Sequence, residues 1–286
     1  MRSILASNAK ELASSISAAR DTIWQHKLLQ PKVAIVLGSG LGPLADYVEH
    51  PVEIGYSDLI GFPRTSAAGH AGRLILGYLA GVPVVLMKGR AHCYEGWSYT
   101  QVQYPVFVMQ ALGANTLITT NAAGGLNGRF RQGDLMVLDS HIDFLFGSSG
   151  FSSSFMSPAQ PLQRGTETYD RPMMQRAQQV ARSQDVVLHQ GCYLATLGPT
   201  YETRNEYRFF RSLGADAVGM STVPEVIAAK KLGMDVLGFS VITNVASTDI
   251  PVNTTHDEVV EAGNSVGPSL IGIILQILDD MSGEPD

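Results

Sequence analysis

The fold is decided by a short apolar run near the start of the chain, Val33-Ala34-Ile35-Val36-Leu37, which Gly38-Ser39-Gly40 follows directly. A continuous apolar run of this length is typical of a strand that is buried on both faces, as strands are in parallel and mixed sheets. Similar runs recur along the chain. We therefore expect further strands at residues 74–79, 82–87, 116–120, 135–138, 217–220 and 236–242.

Helical patterns lie between several of these runs. They predict helices at residues 100–112, 172–183, 204–213, 223–232 and 256–281. Ahead of the first run, apolar residues at helical spacing over residues 8–29 predict an amphipathic helix that packs on the rest of the chain. Because strands and helices alternate, we predict an α/β fold in a single domain over residues 1–286, with the N-terminal helix inside residues 1–29.

Residues 144–168 interrupt this regular alternation. The segment is rich in Ser, Gly, Pro and Gln, and it carries four phenylalanines that a solvated linker would not need: Phe144, Phe146, Phe151 and Phe155. A loop of this length inside a compact domain is usually functional or disordered. We interpret it as a flexible lid or an interface segment, and not as a domain boundary, because the composition is the same on both sides.

The composition of the 286 residues narrows the class of protein. Apolar residues make up 45% and charged residues 16%, which is ample for a large core and suggests that part of the surface is covered in an oligomer. A net charge of −6 gives no basic face for nucleic acid, although a local anion site is still possible. The two cysteines fit a reducing, cytoplasmic setting better than a disulfide framework. We expect neither a signal peptide nor a membrane span.

The residues after the apolar run 82–87 are the most informative for function. Arg90, His92 and Tyr94 alternate, so in an extended backbone their side chains would point into one space beyond a buried strand. An arginine fork, an imidazole and a phenol suit an oxyanion that lies beside a polar, ring-shaped ligand. The alternative is an exposed loop whose charges are solvated.

Other predicted strand ends carry groups with both a functional and an ordinary explanation. Gly38-Ser39-Gly40 can surround an anion with N–H groups and a hydroxyl, but a tight turn needs the same glycines. Ser221 either contacts a ligand or caps the helix that follows. His70 and His256 are either ligand contacts or structural histidines. In open α/β sheets the ligand lies beyond the carboxyl ends of the strands. The groups predicted there suit three roles: binding an anion (Ser39, Arg90, His92, Ser221 and the amide near Ala122), contacting a ring (Tyr94 and Tyr201), and hydrogen bonding to the edge of a heterocycle (Glu202 and Asn244).

Several kinds of site are not indicated by the sequence. No Cys/His spacing predicts a metal site, and no Gly-x-Ser-x-Gly elbow predicts a serine nucleophile. The glycine spacing at residues 38–42 is neither the dinucleotide fingerprint nor a P-loop. A nicotinamide-dependent dehydrogenase, which would need that fingerprint, is therefore disfavoured.

A series of motifs between about residues 30 and 260 matches a known family in order. The matching stretches lie at residues 36–42, 61–63, 69–72, 89–96, 120–125, 198–202, 218–225 and 242–244. They read VLGSGLG, GFP, GHAG, GRAHCYEG, TNAAGG, GPTYE, VGMSTVPE and ITN. With these motifs the chain resembles the trimeric purine nucleoside phosphorylases of the low-molecular-mass class.

The resemblance implies a mixed sheet of about nine strands, curled into a distorted barrel and surrounded by helices. It implies a cytoplasmic homotrimer, with sites near the subunit interfaces, that serves purine salvage. The implied reaction cleaves the N-glycosidic bond of purine (deoxy)ribonucleosides with inorganic phosphate and releases the base and (deoxy)ribose 1-phosphate. Phosphate is a co-substrate, and no metal, other cofactor, nucleic acid or membrane is implied.

The resemblance also implies a role for each site residue. Phosphate would be held by Ser39, His70, Arg90, His92, Ala122 and Ser221. The nucleoside would be held by Tyr94, Tyr201, Glu202, Val218, Met220, Thr243, Asn244 and His256. Catalysis would depend on Asn244, Glu202 and His92.

Two departures from the family pattern stand out. Tyr201 occupies a position where the family usually has phenylalanine, which adds a hydroxyl that must find a partner. The 144–168 segment lacks the usual Arg/Phe-rich pattern, so either Phe151 or Phe155 is the candidate aromatic that would reach a neighbouring site.

The base-contacting residues predict a substrate preference. The amide of Asn244 can donate to N7 and O6 of a 6-oxopurine, and Glu202 can accept from N1–H. We therefore expect inosine and guanosine to be preferred over adenosine, while acceptance of xanthosine stays open. Asn244 and His256 argue against a 5′-methylthioadenosine phosphorylase. A catalytically silent nucleoside-binding or sensor protein is the alternative from another class.

Overall fold

The computed structural model of the protein describes residues 9–67, 69–146, 167–245 and 256–283. The described strands are β1 (Val33–Leu37), β2 (Glu49–Gly55), β3 (Arg73–Leu79), β4 (Val82–Lys88), β5 (Thr116–Gly125), β6 (Leu135–Asp143), β7 (Leu188–Ala195), β8 (Ala217–Gly219) and β9 (Asp235–Val245). The described α-helices are α1 (Ala9–His26), α2 (Tyr99–Ala111), α3 (Arg171–Ser183), α4 (Arg204–Ser212), α5 (Val223–Lys231) and α6 (His256–Ser282). Short 3-10 helices occupy Gly42–Tyr47, Tyr56–Asp58 and Cys93–Glu95.

The strands form one mixed sheet in the order β2-β3-β4-β1-β5-β8-β7-β6-β9, and β9 also pairs with β5. This extra pairing closes β5, β8, β7, β6 and β9 into a ring, from which β1, β4, β3 and β2 extend. Strands β4, β1, β5 and β9 run parallel to one another. The predicted fold class, an α/β barrel built from a mixed sheet, is confirmed.

The core explains why the apolar runs become strands. All five residues of β1 are buried, as expected for a strand with neighbours on both edges and helices over the sheet. Helices α5 and α6 pack against β9, α3 packs against β6 and β7, and α2 lies between α1 and α5. The predicted helices agree with these elements to within one or two residues at most ends, and α1 differs from its predicted range by up to three.

The strand predictions differ from the structure by more than one residue at five strands. Strand β7 (Leu188–Ala195) was not predicted, and β6 continues past its predicted end at residue 138 to Asp143. The other three differences are at β2, β5 and β9. Strand β2 was not predicted because its sequence, Glu49-His50-Pro51-Val52-Glu53, is polar, and an edge strand tolerates both exposure and proline. Strands β5 and β9 continue past the predicted ends at residues 120 and 242, because the two strands pair in parallel as far as Gly125 and Val245.

Most of the long segment, residues 147–166, lies outside the described residues, and so do Phe151 and Phe155. Of the helices that are described, none combines the length and the apolar character needed to cross a bilayer.

Candidate active site

One cleft, of about 750 Å³ measured out to its mouth, gathers the predicted site residues. Every predicted site residue whose side chain is described lines it: Ser39, His70, Arg90, His92, Tyr94, Ala122, Tyr201, Glu202, Val218, Met220, Ser221, Thr243 and Asn244. His256 begins α6, but its side chain lies outside the described residues. The cleft is also lined by residues outside the predicted set of site residues: Gly38, Ala67, Asn121, Ala123, Gly124 and Gly219.

The parallel strands account for this convergence. Because β1, β4, β5 and β9 run in one direction, their carboxyl ends meet at the same edge of the sheet. Residues 38–39 follow β1, and Arg90 follows β4. Strand β8 runs antiparallel to β5, with Val218 opposite Gly124, and so brings residues 218–221 to the same edge.

A bulge in β9 brings two consecutive residues into the cleft. In a regular strand, neighbouring side chains point to opposite faces. Here the pairing of β5 with β9 shifts, since Ala123 faces Ile242 and Gly124 faces Asn244, which leaves Thr243 as the extra residue. Bulges of this kind re-aim side chains, and both Thr243 and Asn244 line the cleft.

The Arg90 side chain is buried, with only 2% of its surface exposed, so the interpretation of Arg90 as part of a solvated loop is wrong. Its Nη1 donates to Thr222 Oγ1 at 3.0 Å and to Glu225 Oε1 at 3.2 Å. Its Nη2 donates to the carbonyl oxygens of Val36 and Thr120. Its Nε, by contrast, is buried and has no partner among the described residues.

The chain turns sharply to deliver Arg90. Gly89 has φ +96, and a Cβ atom there would lie 2.8 Å from Cα of His70, so only glycine fits. The close approach places His70 beside the Arg90 peptide, whose N–H donates to Nδ1 of His70 at 2.8 Å. Nε2 of His70 then lies 3.2 Å from Oγ of Ser39.

His70 is a neutral imidazole at neutral pH. Burial lowers its pKa to about 4, and the charges of His92 and Arg90 act in the same direction. His70 is therefore a hydrogen-bonding group over the Ser39 end of the cleft rather than a cation.

His92 is fixed by a carboxylate. Its Nδ1 lies 3.0 Å from Oε1 of Glu95, and its backbone N–H donates to the same oxygen at 2.7 Å. Ser66 donates to the other oxygen of Glu95 through its hydroxyl and its backbone N–H. Because Glu95 occupies Nδ1, Nε2 is the ring nitrogen that a ligand can reach.

Tyr94 reaches the cleft by a different route from the predicted one. The chain is not extended through Tyr94, because β4 ends at Lys88 and Cys93–Glu95 form a 3-10 helix. The Tyr94 ring instead stacks on His92, with ring centroids 4.7 Å apart and an angle of 17° between the planes. Arg90, His92 and Tyr94 thus share one cleft, as predicted, but not through an extended backbone.

Glu95 gives a prediction about acid stability. Burial raises the pKa of Glu95, but hydrogen bonds from His92 and Ser66 outweigh it and lower the pKa to about 2. The carboxylate therefore stabilises the fold above its ordinary pKa of about 4.5 and loses that effect as pH falls towards 2. We expect Glu95→Gln to reduce the free energy of unfolding at pH 7, and we expect this difference from the unmodified protein to shrink steadily below pH 4.5. Urea unfolding at pH 7, 5 and 3.5 measures it.

Glu53→Gln is the matched control, because Glu53 is an exposed carboxylate whose surface pair with Arg73 spans 3.4 Å. Its difference from the unmodified protein should be small at every pH. A Glu95→Gln difference that stays constant from pH 7 to 3.5 would show that the His92 and Ser66 contacts do not depress the pKa of this carboxyl.

Ser221 is not the cap of the following helix. Helix α5 begins at Val223, its N-cap is Thr222, and no side-chain capping bond is made there. The Ser221 hydroxyl instead lies 3.4 Å from Nη1 of Arg90 and 3.2 Å from Oγ1 of Thr222, at the edge of the cleft. The ligand-contact interpretation of Ser221 therefore fits the geometry, and the capping interpretation does not.

Glu202 and Asn244 also line the cleft. Glu202 stands just before Thr203, whose side chain caps α4 in a capping box. Thr196 donates to Oε1 of Glu202 at 3.1 Å. Burial raises the pKa of Glu202, while hydrogen bonds from its own backbone, Thr196 and Tyr207 oppose the rise. Thr243 Oγ1 lies 3.3 Å from Oδ1 of Asn244 and 3.4 Å from the carbonyl oxygen of Ala123. When the hydroxyl donates to Oδ1, the amide N–H groups of Asn244 are left for a ligand.

Several residues that support the cleft without lining it were not predicted from the sequence. Glu225 and Thr222 lie near Ser221 in the motif VGMSTVPE. Their contacts with Arg90 could not be predicted, because they join residues more than 130 positions apart in the sequence. Tyr193 and Thr196 belong to a region without any catalytic pattern. No local signal identifies such residues, because their positions depend on the closure of the sheet.

Known proteins share this fold and much of the sequence. A sequence model of the phosphorylase superfamily matches residues 32–279. Purine nucleoside phosphorylase 1 of Bacillus subtilis is 43% identical over 263 residues, which covers 92% of this chain and 97% of that protein. Purine nucleoside phosphorylase of Rattus norvegicus is 41% identical over 259 residues and covers 86% of this chain and 87% of that protein.

Solved structures agree with these matches. A Schistosoma purine nucleoside phosphorylase in complex with hypoxanthine superposes with a TM-score of 0.87 at 33% identity and covers 99% of this chain and all of that one. The Schistosoma mansoni enzyme in complex with inosine superposes with a TM-score of 0.85 at 34% identity, covering 96% of this chain and 97% of that one.

Proposed function

The chain belongs to the phosphorylase superfamily and, within it, to the purine nucleoside phosphorylases, and on that premise we propose that it prefers 6-oxopurine nucleosides and uses inorganic phosphate as co-substrate in purine salvage. The reaction is cleavage of the N-glycosidic bond by phosphate, which yields the free base and (deoxy)ribose 1-phosphate. It needs no metal or other cofactor, and we place it in the cytoplasm.

One observation carries this proposal: a single cleft is lined both by groups that can bind an anion and by groups that can hydrogen-bond the edge of a base. The first set comprises hydroxyls, imidazoles and a guanidinium, supplied by Ser39, His70, Arg90, His92 and Ser221. The second set comprises a carboxyl and an amide, from Glu202 and Asn244. Tyr94, Met220 and Val218 also line the cleft, and we assign them to the sugar.

The charge changes of the reaction suit this division. As the glycosidic bond breaks, the ribose becomes positive and the purine negative. A phosphate anion below the sugar stabilises the first charge, and a donor at N7 or O6 of the base stabilises the second. Preorganised electrostatic stabilisation of this kind usually contributes more to catalysis than any other single effect.

We infer that hydrogen-bond donors, rather than a large net positive charge, hold the phosphate. Arg90 is already paired with Glu225 at 3.2 Å, and His70 is uncharged at neutral pH. We assign the phosphate to the Arg90 guanidinium, His70, Nε2 of His92, the hydroxyls of Ser39 and Ser221 and the amide near Ala122. Donors of this kind bind oxyanions without needing a large net positive charge.

Asn244 and Glu202 contact different atoms of the base. The Asn244 amide donates to N7 and O6, while the Glu202 carboxylate accepts from N1–H. A 6-amino group offers a donor where the amide also donates, so adenosine fits less well. This is the physical basis of the proposed preference for inosine and guanosine.

An exposed aromatic patch supports the proposed homotrimer. Phe144, Phe146 and Phe209 form this patch over the buried Phe210, with Phe144 stacked on Phe146 at 5.3 Å between centroids and lying 6.3 Å from Phe209. Phe146 is 81% exposed and Phe209 is 52% exposed. Large aromatic patches are usually covered by a partner, and light scattering on the purified protein gives the subunit number.

The direct test of the function is a panel of inosine, guanosine, xanthosine, adenosine and 5′-methylthioadenosine, each incubated with and without phosphate. We expect phosphate-dependent release of hypoxanthine and guanine, with one ribose 1-phosphate formed for each base released. Release without phosphate would indicate a hydrolase, and binding without release would indicate a silent nucleoside-binding protein. A preference for methylthioadenosine would overturn the proposed specificity.

A further inference from the structure

The residue behind Ser221 has an unusual backbone. Thr222 is fully buried and has φ 73 and ψ −51, a conformation that β-branched residues rarely adopt. Such strain persists only where the surrounding structure holds the residue in place, and it is concentrated at functional sites. The contacts of the Thr222 hydroxyl are therefore informative about what the strain achieves.

Three polar atoms surround Oγ1 of Thr222. Nδ2 of Asn121 lies at 2.9 Å, Nη1 of Arg90 at 3.0 Å and Oγ of Ser221 at 3.2 Å. The guanidinium and the amide NH2 can only donate, so they occupy both acceptor positions of the hydroxyl. The single proton of Thr222 is then directed to the remaining neighbour, Ser221.

The orientation of the Asn121 amide has its own support. The hydroxyl of Ser240 donates to Oδ1 of Asn121 at 2.8 Å, which leaves Nδ2 on the side of Thr222. Ser240 is fully buried and Asn121 is 2% exposed. The hydrogen bonds thus run in one direction, from Ser240 through Asn121 and Thr222 to Ser221.

Two donors contact the Ser221 hydroxyl on its protein side. Its Oγ accepts from Thr222 at 3.2 Å and lies 3.4 Å from Nη1 of Arg90, while the hydroxyl of Tyr193 accepts from the Ser221 backbone N–H at 3.4 Å. With Thr222 and Arg90 at Oγ, the proton of Ser221 is available to an acceptor in the cleft that this residue lines. An oxyanion in that cleft needs donors, and a hydroxyl already oriented as a donor needs no reorganisation when the anion binds.

We propose that Thr222 is a positioning residue, which relays the hydrogen bond of Asn121 to Ser221 and thereby fixes the Ser221 hydroxyl as a donor to phosphate. This inference rests on the proposed function, because it assigns the anion of that reaction to the Ser221 end of the cleft. Thr222 itself does not line the cleft, so its effect on the reaction is indirect.

The test compares Thr222→Val, which removes the hydroxyl and keeps the branched shape, with Thr222→Ser, which keeps a hydroxyl. We expect Thr222→Val to raise the KM for phosphate about tenfold, as for the loss of one hydrogen bond to a charged group, with the KM for inosine within about twofold. Thr222→Ser should hold the phosphate KM within about threefold of the unmodified value. If Thr222→Val does not fold, Thr222→Ala serves in its place.

Thr119→Val is the matched control. Thr119 is a fully buried threonine on β5 whose Oγ1 has no partner among the described residues. This substitution should leave the KM for phosphate unchanged. The comparison separates the effect of losing any buried hydroxyl from the effect of losing the Thr222 hydroxyl.

A double-mutant cycle decides whether Thr222 acts through Ser221. In a Ser221→Ala background, adding Thr222→Val should raise the KM for phosphate by at most about threefold, because the Ser221 hydroxyl that Thr222 orients is already absent. The inference is overturned if the two effects multiply in full, or if Thr222→Val raises the inosine KM as much as the phosphate KM. If the unmodified protein shows no phosphate-dependent cleavage, the proposed function fails first; if it does cleave and Thr222→Val leaves the phosphate KM unchanged, only this inference fails.

Discussion

Replacing Asn244 with alanine should lower the turnover of inosine about 100- to 1000-fold, the usual effect of removing one preorganised donor at a developing negative charge. Asn244 lines the cleft, and the Thr243 hydroxyl, 3.3 Å from its Oδ1, orients the amide. Because the donor matters most when the purine departs, kcat should fall much more than the KM for inosine rises. Initial rates over a range of inosine concentrations at saturating phosphate measure both constants.

Asn244→Asp separates the substrate preference from the catalytic effect. An aspartate accepts a hydrogen bond from a 6-amino group, so the rate with adenosine should rise relative to the rate with inosine. An unchanged ratio, or one that moves towards inosine, would show that Asn244 does not face position 6 of the base. Thr243→Val should have a smaller effect in the same direction as Asn244→Ala, because it removes only the bond that orients the amide.

Replacing Arg90 with alanine should have two large and separable consequences. Glu225, only 2% exposed, would lose its partner in the buried ion pair, which we expect to lower the free energy of unfolding by about 3–5 kcal/mol. The phosphate site would also lose its guanidinium, and a charge-assisted hydrogen bond is worth roughly 1.5–3 kcal/mol, or about 10- to 150-fold in the KM for phosphate. Chemical denaturation and phosphate titrations measure the two effects.

A double variant distinguishes the structural effect from the binding effect. Arg90→Met together with Glu225→Gln leaves no unpaired charge, so it should recover much of the lost stability. It should not recover phosphate affinity, because the donor is still missing. Phosphate dependence equal to that of the unmodified protein would remove Arg90 from the site, whatever the stability.

The strands and helices were largely predictable because their signals are local. The run Val33–Leu37 is β1 without change, and α5 begins at the predicted Val223. Burial on both faces leaves a continuous apolar run in the sequence, and a helix packed on the sheet leaves a periodic one. The polar edge strand β2 carries neither signal, and it was missed for that reason.

The residues that line the cleft were largely predictable from the sequence, but the backbone features that bring them together were not. Arg90, His92 and Tyr94 do share a cleft, although Tyr94 reaches it from a 3-10 helix. The bulge at Thr243 depends on how β5 pairs with β9, and the strained Thr222 depends on contacts with Asn121 and Arg90. Such features arise from long-range pairing, which a single sequence does not display.

A crystal structure of the protein soaked with phosphate and hypoxanthine tests the central claim most directly. We expect phosphate within hydrogen-bonding distance of Ser39, Arg90 and Ser221, and hypoxanthine in the same cleft with Glu202 at N1 and Asn244 at N7 and O6. Phosphate or base bound away from these residues, with the cleft left to solvent, would contradict the account.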